Sequence, residues 1–451
     1  MYQPLFGKEK GMMGKSKTRS PLLAGLFSAV IWGSGQLYNR QVIKAIFFFW
    51  AQILCVLSAP QTIRGVKGLI TLGDVERVTQ GRKVLVAGDN SILLLILGLV
   101  WVFVLMVFVT IYILGIRDAV KTAGDWNAGK IPLRGKAWMK KFSQTCFPYL
   151  VLAPTACVVF LFVIVPIIFG FLIAFTNYSV PDYVPPKHLV DWVGFKNFLD
   201  MVKLPMWNDT FMGVALWTLI WAVLSTISCF FGGLLVAILV NSKRVKCKKL
   251  WRTIYILPWA IPGMISLLIF RNMFNGQFGA INTFLRTHGI IEANIQWLSN
   301  PLLAKVVILV VNFWLGFPYF MALMSGVMTS ISSDVVEAAR IDGANAKQEF
   351  RYITLPLVLY ATAPLLIMSF ASNFNNFNTI YFLTEGNPIN PAYKFAGSTD
   401  ILITWIYKLT KDNGQYNMAS VMSILVFLVI AGISTANFLQ TKSFKEEDMM
   451  G

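Results

Sequence analysis

Eight long apolar runs divide the chain, at residues 43–61, 92–116, 147–176, 211–241, 253–272, 305–329, 356–383 and 417–440. Each is near or above the roughly 20 residues that an α-helix needs to cross the hydrocarbon of a bilayer. In hydrocarbon every backbone N–H and C=O must be satisfied inside the segment, so each run predicts a helix. Pro258, Pro262 and Pro318 predict kinks in the fifth and sixth runs, or else simply fit the packing there. Residues 21–38 are apolar too, but hold Trp32-Gly33-Ser34-Gly35-Gln36-Leu37-Tyr38. They predict an interfacial segment on the inner face, with a ninth span as the alternative. The pattern predicts an all-α integral membrane protein with eight transmembrane helices.

The polar segments carry the next level of information. Residues 330–355 form a charged island between the sixth and seventh runs. Asp334 with Glu337 predicts a capping box opening one short helix, and Gly343 stands where that helix stops, in the left-handed conformation that glycine tolerates. Asn345 with Gln348 repeats the box for a second helix, expected to end before Pro356. Such an elbow is either a docking element exposed to water or a solvated connection that caps its neighbours.

Charge sets the orientation. With the N-terminus inside, the segments 1–41, 117–146, 242–252, 330–355 and 441–451 carry 24 of the 39 Lys and Arg in 119 residues. The opposite segments, 62–91, 177–210, 273–304 and 384–416, carry 12 in 129. This positive-inside bias places both termini and the 330–355 elbow in the cytoplasm. The densest basic run, Lys243-Arg244-Val245-Lys246-Cys247-Lys248-Lys249, is a topology signal and a contact for lipid headgroups.

Composition narrows the class. Of 451 residues 56% are hydrophobic and 13% charged, about half the share of roughly 25% usual for globular chains. The net charge of +18 follows the membrane topology, so nucleic acid is not an expected partner. Cys55, Cys146, Cys157, Cys229 and Cys247 lack metal-site spacing and lie outside the outer loops, so neither a disulfide nor a metal is expected. His188 and His288 lie far apart in outer loops and define no catalytic site. Gly14-Lys15-Ser16 resembles the end of a phosphate loop, but Glu9 replaces the required glycine and no strand precedes it. No cleavable signal is expected, because no small-residue site closes a short apolar run. No Asp or Glu falls in any of the eight runs. Ion-coupled carriers usually need such an acid, so its absence disfavours an ion-driven carrier or channel and lends nothing to a membrane glycosyltransferase.

Two runs carry a polar stripe. Asn312, Gly316 and Tyr319 recur at i, i+4 and i+7 in the sixth, and Ser369, Asn373 and Asn376 at the same spacing in the seventh. Asn in hydrocarbon needs a partner or a wet path. Amides suit sugar hydroxyls, and a Tyr offers both a ring face and a hydroxyl. The other reading is glue between helices.

Glu337-Ala338-Ala339, then Gly343, then Ile353-Thr354-Leu355-Pro356 resembles the EAA loop of permease subunits of bacterial ABC importers. Val193-Gly194-Phe195-Lys196-Asn197-Phe198, Leu257-Pro258-Trp259-Ala260-Ile261-Pro262 and Trp314 with Pro318-Tyr319 follow the same family in order. The resemblance implies a six-helix type I importer core over 147–440, with the EAA loop at 330–355. Ahead of it would lie a basic cytoplasmic N-terminus and interfacial segment over 1–42 and two extra helices with a basic loop over 43–146. A cytoplasmic tail, 441–451, would follow. In this family Glu337, Ala338, Ala339, Asp342 and Gly343 would couple the permease to an ATPase.

Residues 369–377 further resemble the sugar-holding span of maltose/maltodextrin permease subunits. Asn312, Leu315, Gly316, Tyr319, Ser369, Asn373 and Asn376 match the sugar contacts there in type and spacing. Ser372 departs, because that family has a stacking Phe at the position. The loop over 177–210 also lacks the large insertion of enterobacterial members. The resemblance implies a transport subunit without catalytic residues or cofactor, in a bacterial plasma membrane. Its partners would be a second homologous permease, two copies of a cytoplasmic ATPase that binds the ATP, an external sugar-binding protein and lipid. The cargo would be an oligosaccharide: maltodextrin, or in another reading galacto-oligosaccharide or raffinose.

Overall fold

The computed structural model describes residues 18–440, apart from 81–82, 131, 134, 182, 184–186 and 243–244. The rejected phosphate-loop remnant, most of the basic N-terminal arm, Lys243, Arg244 and the tail 441–451 lie outside the described residues. The chain folds as two compact units. One holds residues 1–172 with 185–191, the other 173–184 with 192–451.

In the first unit, α1 (Pro21–Val30) and α2 (Ser34–Tyr38) are two short helices. At 1.5 Å per residue the ten residues of α1 span about half a bilayer core, so 21–38 is no single ninth spanning helix. Both pack on α4 (Ser91–Asn127), after α3 (Val42–Thr71) and a hairpin of β1 (Val78–Gln80) and β2 (Lys83–Val86). Polar side chains explain the docking. Gln36 Nε2 donates to the Gly115 carbonyl at 2.6 Å and Asn39 Nδ2 to that of Ala119 at 2.8 Å. The Lys44 ammonium meets the Asp118 carboxylate at 2.6 Å, so the one charge inside the first apolar run is paired. Then α5 (Gly135–Val159), a π-turn (Phe160–Ile164) and α6 (Val165–Ile173) form a continuous helix.

In the second unit, α7 (Lys196–Lys203) lies in the loop between the third and fourth apolar runs, and α8 (Pro205–Asn241) holds the fourth. The Val193–Phe198 motif works here as a staple. Buried Asn197 donates to the carbonyls of Ala174 and Thr176 at 2.8 and 2.7 Å and accepts from Asn417 at 3.2 Å. The fifth run is not one helix. It is α9 (Lys248–Ala260) and α10 (Gly263–Met273), bent by 86° where Pro262 withholds a donor. After α11 (Ala280–Thr287), α12 (Pro301–Ser330) continues without a break through Pro318, so that proline does not interrupt the sixth run. Within their most apolar stretches α8 and α12 are 44% buried, against 11% for α3, α4 and Ala137–Ile173, which makes α8 and α12 the inner pair of their unit. Glycines allow their approach. A Cβ on Gly232 would meet Phe313, one on Gly233 the Phe320 side chain, and one on Gly316 the Cys229 sulfur at 2.6 Å.

The elbow is α13 (Ser333–Ile341) and α14 (Ala346–Glu349), followed by a π-turn (Phe350–Thr354), α15 (Leu355–Phe374), α16 (Phe377–Thr384), α17 (Leu402–Lys411) and α18 (Tyr416–Gln440). Five helices among the described residues are long and apolar enough to cross a membrane: α3, α4, Ala137–Ile173, α8 and α12. Counting each bent pair as one span, α9 with α10 and Ala346–Thr362 with Pro364–Thr384, raises this to seven. The eighth run lies on α18, as the shorter apolar helix Tyr416–Gly432.

Candidate functional site: an amide-lined cavity and a capped elbow

A cavity of about 610 Å³ opens in the second unit. That lies within the roughly 300–1,000 Å³ usual for small-molecule sites. The six stripe residues and Leu315, the seven positions that the resemblance implies, all line it: Asn312, Leu315, Gly316 and Tyr319 from α12, Ser369 and Asn373 from α15, and Asn376 from the junction after it. The rest of the wall is Cys229 of α8, Asn378 and Thr379 of α16, Phe320, and residues 258–264 and 267 at the break between α9 and α10. No lining residue is charged.

The seventh run does not present its stripe on one helix. α15 ends at Phe374, and Asn376 is the N-cap of α16, its Oδ1 accepting from the Thr379 N–H at 3.2 Å. The helix is interrupted inside the apolar run, and the junction satisfies its N–H groups locally: that of Asn375 donates to the Ala371 carbonyl, that of Asn376 to the Asn373 carbonyl and that of Phe377 to the Asn375 carbonyl.

The amides are partly spent on neighbouring helices. Asn376 Nδ2 donates to Asn312 Oδ1 at 3.4 Å, and the Thr379 hydroxyl donates to the same oxygen at 3.5 Å. Asn312 Nδ2 reaches the Cys229 sulfur at 3.8 Å. Asn373 Nδ2 donates to the Thr226 hydroxyl at 3.0 Å, while Trp221 Nε1 holds its backbone carbonyl at 2.9 Å. Asn373 therefore ties α15 to α8, as the glue reading expects. The bonds to Asn312 are long, near the limit of a useful hydrogen bond, and would exchange readily for a ligand hydroxyl. For Gly316 the observed reason is packing against Cys229.

Sequence reasoning missed three contributors. Asn378 is exposed to the cavity, with no side-chain partner among the described residues. Trp259 lines it with 59% of its surface open. The first turn of α10, Gly263 and Met264, brings N–H groups that no helical turn satisfies. The Leu257–Pro262 motif marked Trp259 and this turn, but only as a kink.

The elbow forms as two helices, with corrections. Ser332, not Asp334, caps α13, its hydroxyl accepting from the Asp334 N–H at 3.2 Å. Serine's short side chain reaches this donor from the extended backbone of residue 332, which leaves Asp334 and exposed Glu337 inside the helix. Gly343 has φ +85°. Its N–H donates to the Arg340 carbonyl and that of Ala344 to the Ala339 carbonyl at 2.9 Å, which is a Schellman stop. Asn345 and Gln348 form the expected capping box, at 2.9 and 3.0 Å.

The second helix does not stop before Pro356. It runs on through the π-turn into α15, the wider turn standing where the proline ring would meet the carbonyl four residues earlier. A link invisible in the motif joins the two arms: Arg340 Nε and Nη2 donate to the Glu349 carboxylate at 3.0 and 2.9 Å. Ala338, Asp342 and Gly343 are exposed.

Residues 229–443 match the family described as binding-protein-dependent transport system inner membrane component. The galactooligosaccharides transport system permease protein GanP of Bacillus subtilis is 38% identical over 424 residues, 94% of this chain and 98% of its own. The maltodextrin transport system permease protein MdxF of the same organism is 37% identical over 445 residues, 96% and 98%. Among solved structures, a chain of a bacterial ABC transporter that imports the acidic polysaccharide alginate covers 67% of this chain and 97% of its own. Its TM-score is 0.54 at 22% identity, a likeness of fold.

Proposed function

Because this chain belongs to the family of binding-protein-dependent transport system inner membrane components, we propose that it is the membrane-spanning permease subunit of an ATP-driven oligosaccharide importer. Maltose or maltodextrin is the sugar, maltodextrin being the one in the name of the MdxF relative. The observation that carries this is the cavity: amides of Asn312, Asn376 and Asn378, an aromatic hydroxyl and no charge. Amides donate and accept at once, as a polyhydroxyl solute requires. An acidic polysaccharide would call for cations that this wall lacks. GanP favours a second reading, a galacto-oligosaccharide, which the same amides would serve.

In this reading the eight apolar runs are eight spans, the last six forming the permease core, with both termini and the elbow in the cytoplasm. A second homologous permease completes the pathway, an external binding protein delivers sugar, and two ATPase subunits supply the work. Nucleotide-driven closure of the ATPases moves α13 and α14, with Glu337, Ala338, Ala339, Asp342 and Gly343 on the docking surface. The elbow is continuous with α15, which carries Ser369 and Asn373, so its movement reaches the cavity wall directly. The break between α9 and α10 and the junction at Asn375–Asn376 are the joints that open the cavity to either side.

Cysteines introduced singly at Gly343, Lys246 and Asn387, in a chain otherwise free of cysteine, test the topology with a membrane-impermeant thiol reagent on whole cells. Labelling at 387 alone is expected; labelling at 343 but not at 387 reverses the orientation and removes the elbow from any ATPase.

A further inference from the structure

The cavity has an aromatic side that its amide stripes do not explain. Trp259 is the second-last residue of α9, one turn before the 86° break. Its neighbour Pro258 is buried and seats the last turn, whereas the indole is 59% exposed and faces the cavity. The indole lies 6.2 Å from the Tyr319 ring, tilted by 53°. Tyr319 is edge-on to Phe320 at 5.3 Å, and Phe320 is edge-on to Phe230 at 5.7 Å. Exposure rises along this row, from 1% and 2% at Phe230 and Phe320 to 40% at Tyr319 and 59% at Trp259. Two rings fixed in the core thus hold two that are open. A tryptophan this open, in a cavity wall rich in amides, leaves a large apolar face unpartnered. Hydrocarbon contact alone would need no amides beside it.

Pyranoses have the complementary build. Hydroxyls ring the edge, and one face presents C–H groups that pack on an aromatic ring. We propose that Trp259, with Tyr319, is the stacking platform for the apolar face of a neutral hexopyranose unit whose hydroxyls the Asn312, Asn376 and Asn378 amides hold. This rests on the reading of the cavity as the sugar path. Trp259 then acts as a positioning and selectivity residue at a joint. Changing the angle between α9 and α10 moves the ring relative to the amides, which assembles or dismantles the site.

The complete transporter, with its ATPase, second permease and sugar-loaded binding protein in proteoliposomes, gives the maximal uptake rate of labelled maltotriose. Trp259→Ala is expected to lower it about five- to tenfold, the scale of one lost aromatic contact, with assembly and basal ATP hydrolysis kept. Trp259→Phe should stay within about twofold of the wild type, and Trp259→Leu should fall with the alanine variant. Should alanine prevent assembly, the Phe and Leu variants decide alone. Equal rates for Leu and Phe overturn the platform, because apolar bulk would then suffice. Wild-type uptake by Trp259→Ala overturns it too. If Tyr319→Ala and Asn376→Ser lower uptake while Trp259→Ala does not, only the platform falls. If all three transport normally, the cavity itself is not the path.

Discussion

Replacing Gly343 by Val separates a shape requirement of the elbow from a mere connection. The residue has φ +85°, and a Cβ built there meets nothing within 4 Å. The cost is therefore conformational alone. A β-branched residue at positive φ is a true outlier, strained by about 1–3 kcal/mol. The Schellman bonds from the Gly343 and Ala344 N–H groups depend on that φ. Little offsets the strain. The Arg340–Glu349 pair, with side chains 47% and 20% exposed, is worth about 0–1 kcal/mol and holds only an arm that is already placed. At 1.4 kcal/mol per factor of ten, Gly343→Val should depopulate the docked geometry about 5- to 150-fold. Gly343→Asn is the control, because Asn enters the left-handed region readily. The assay is the ATPase retained on the purified permease pair, together with sugar-stimulated ATP hydrolysis. Val should lose both and Asn keep most of both. Wild-type behaviour of Val refutes the shape argument. Equal losses for Asn and Val refute it differently, by showing that the site rejects any side chain.

Three further outcomes are expected. Asn376→Ser keeps an oxygen to cap α16 but loses the amide donor, and should lower transport about 5- to 150-fold as roughly 1–3 kcal/mol of hydrogen bonding is lost. If Ser transports normally while Ala fails, Asn376 is a cap and no more. Gly316→Ala sets a Cβ 2.6 Å from the Cys229 sulfur, which should cost about 1–3 kcal/mol in thermal stability and be relieved by adding Cys229→Ala; no relief contradicts the packing role. In the loop between the first and second apolar runs, two backbone N–H groups, of Asp74 and Val75, hold the Asp89 carboxyl below its usual range. Because the folded value is depressed, the clasp is at full strength above the ordinary value near 3.8 and is lost as pH falls through the lowered one, so exchange of those two amides should quicken only in acid.

What was legible in the sequence followed from forces that act within a short window. Hydrophobic length placed the helices, because a bilayer demands some 20 apolar residues wherever they occur. Gly343 and the Asn345–Gln348 box were legible because caps are local contests for a few N–H groups. Asp334 was misplaced as a cap because Ser332, two residues earlier, competes for the same role and wins. The fifth run showed its joint only as a kink at Pro258 and Pro262, and the seventh hid its own, since Asn373 and Asn376 read equally well as steps of one helical stripe. Only the approach of other helices makes an interrupted backbone cheaper there than a continuous one. The stripe residues line one cavity, yet Asn376 reaches it as the cap of a new helix, not as the third step of an old one. Trp259 and the Arg340–Glu349 pair could not be read from spacing, because one depends on an 86° bend and the other on the folding back of an elbow.

The central claim is that neutral sugar crosses through this chain at the expense of ATP hydrolysed by partner subunits. Its most direct test is accumulation of labelled maltotriose in proteoliposomes holding the complete complex, with ATP inside and the sugar-loaded binding protein outside. Uptake should require both ATP and the binding protein, persist when a protonophore collapses the proton gradient, and fall with Asn376→Ser. Accumulation that proceeds without ATP and vanishes with the gradient would contradict the account.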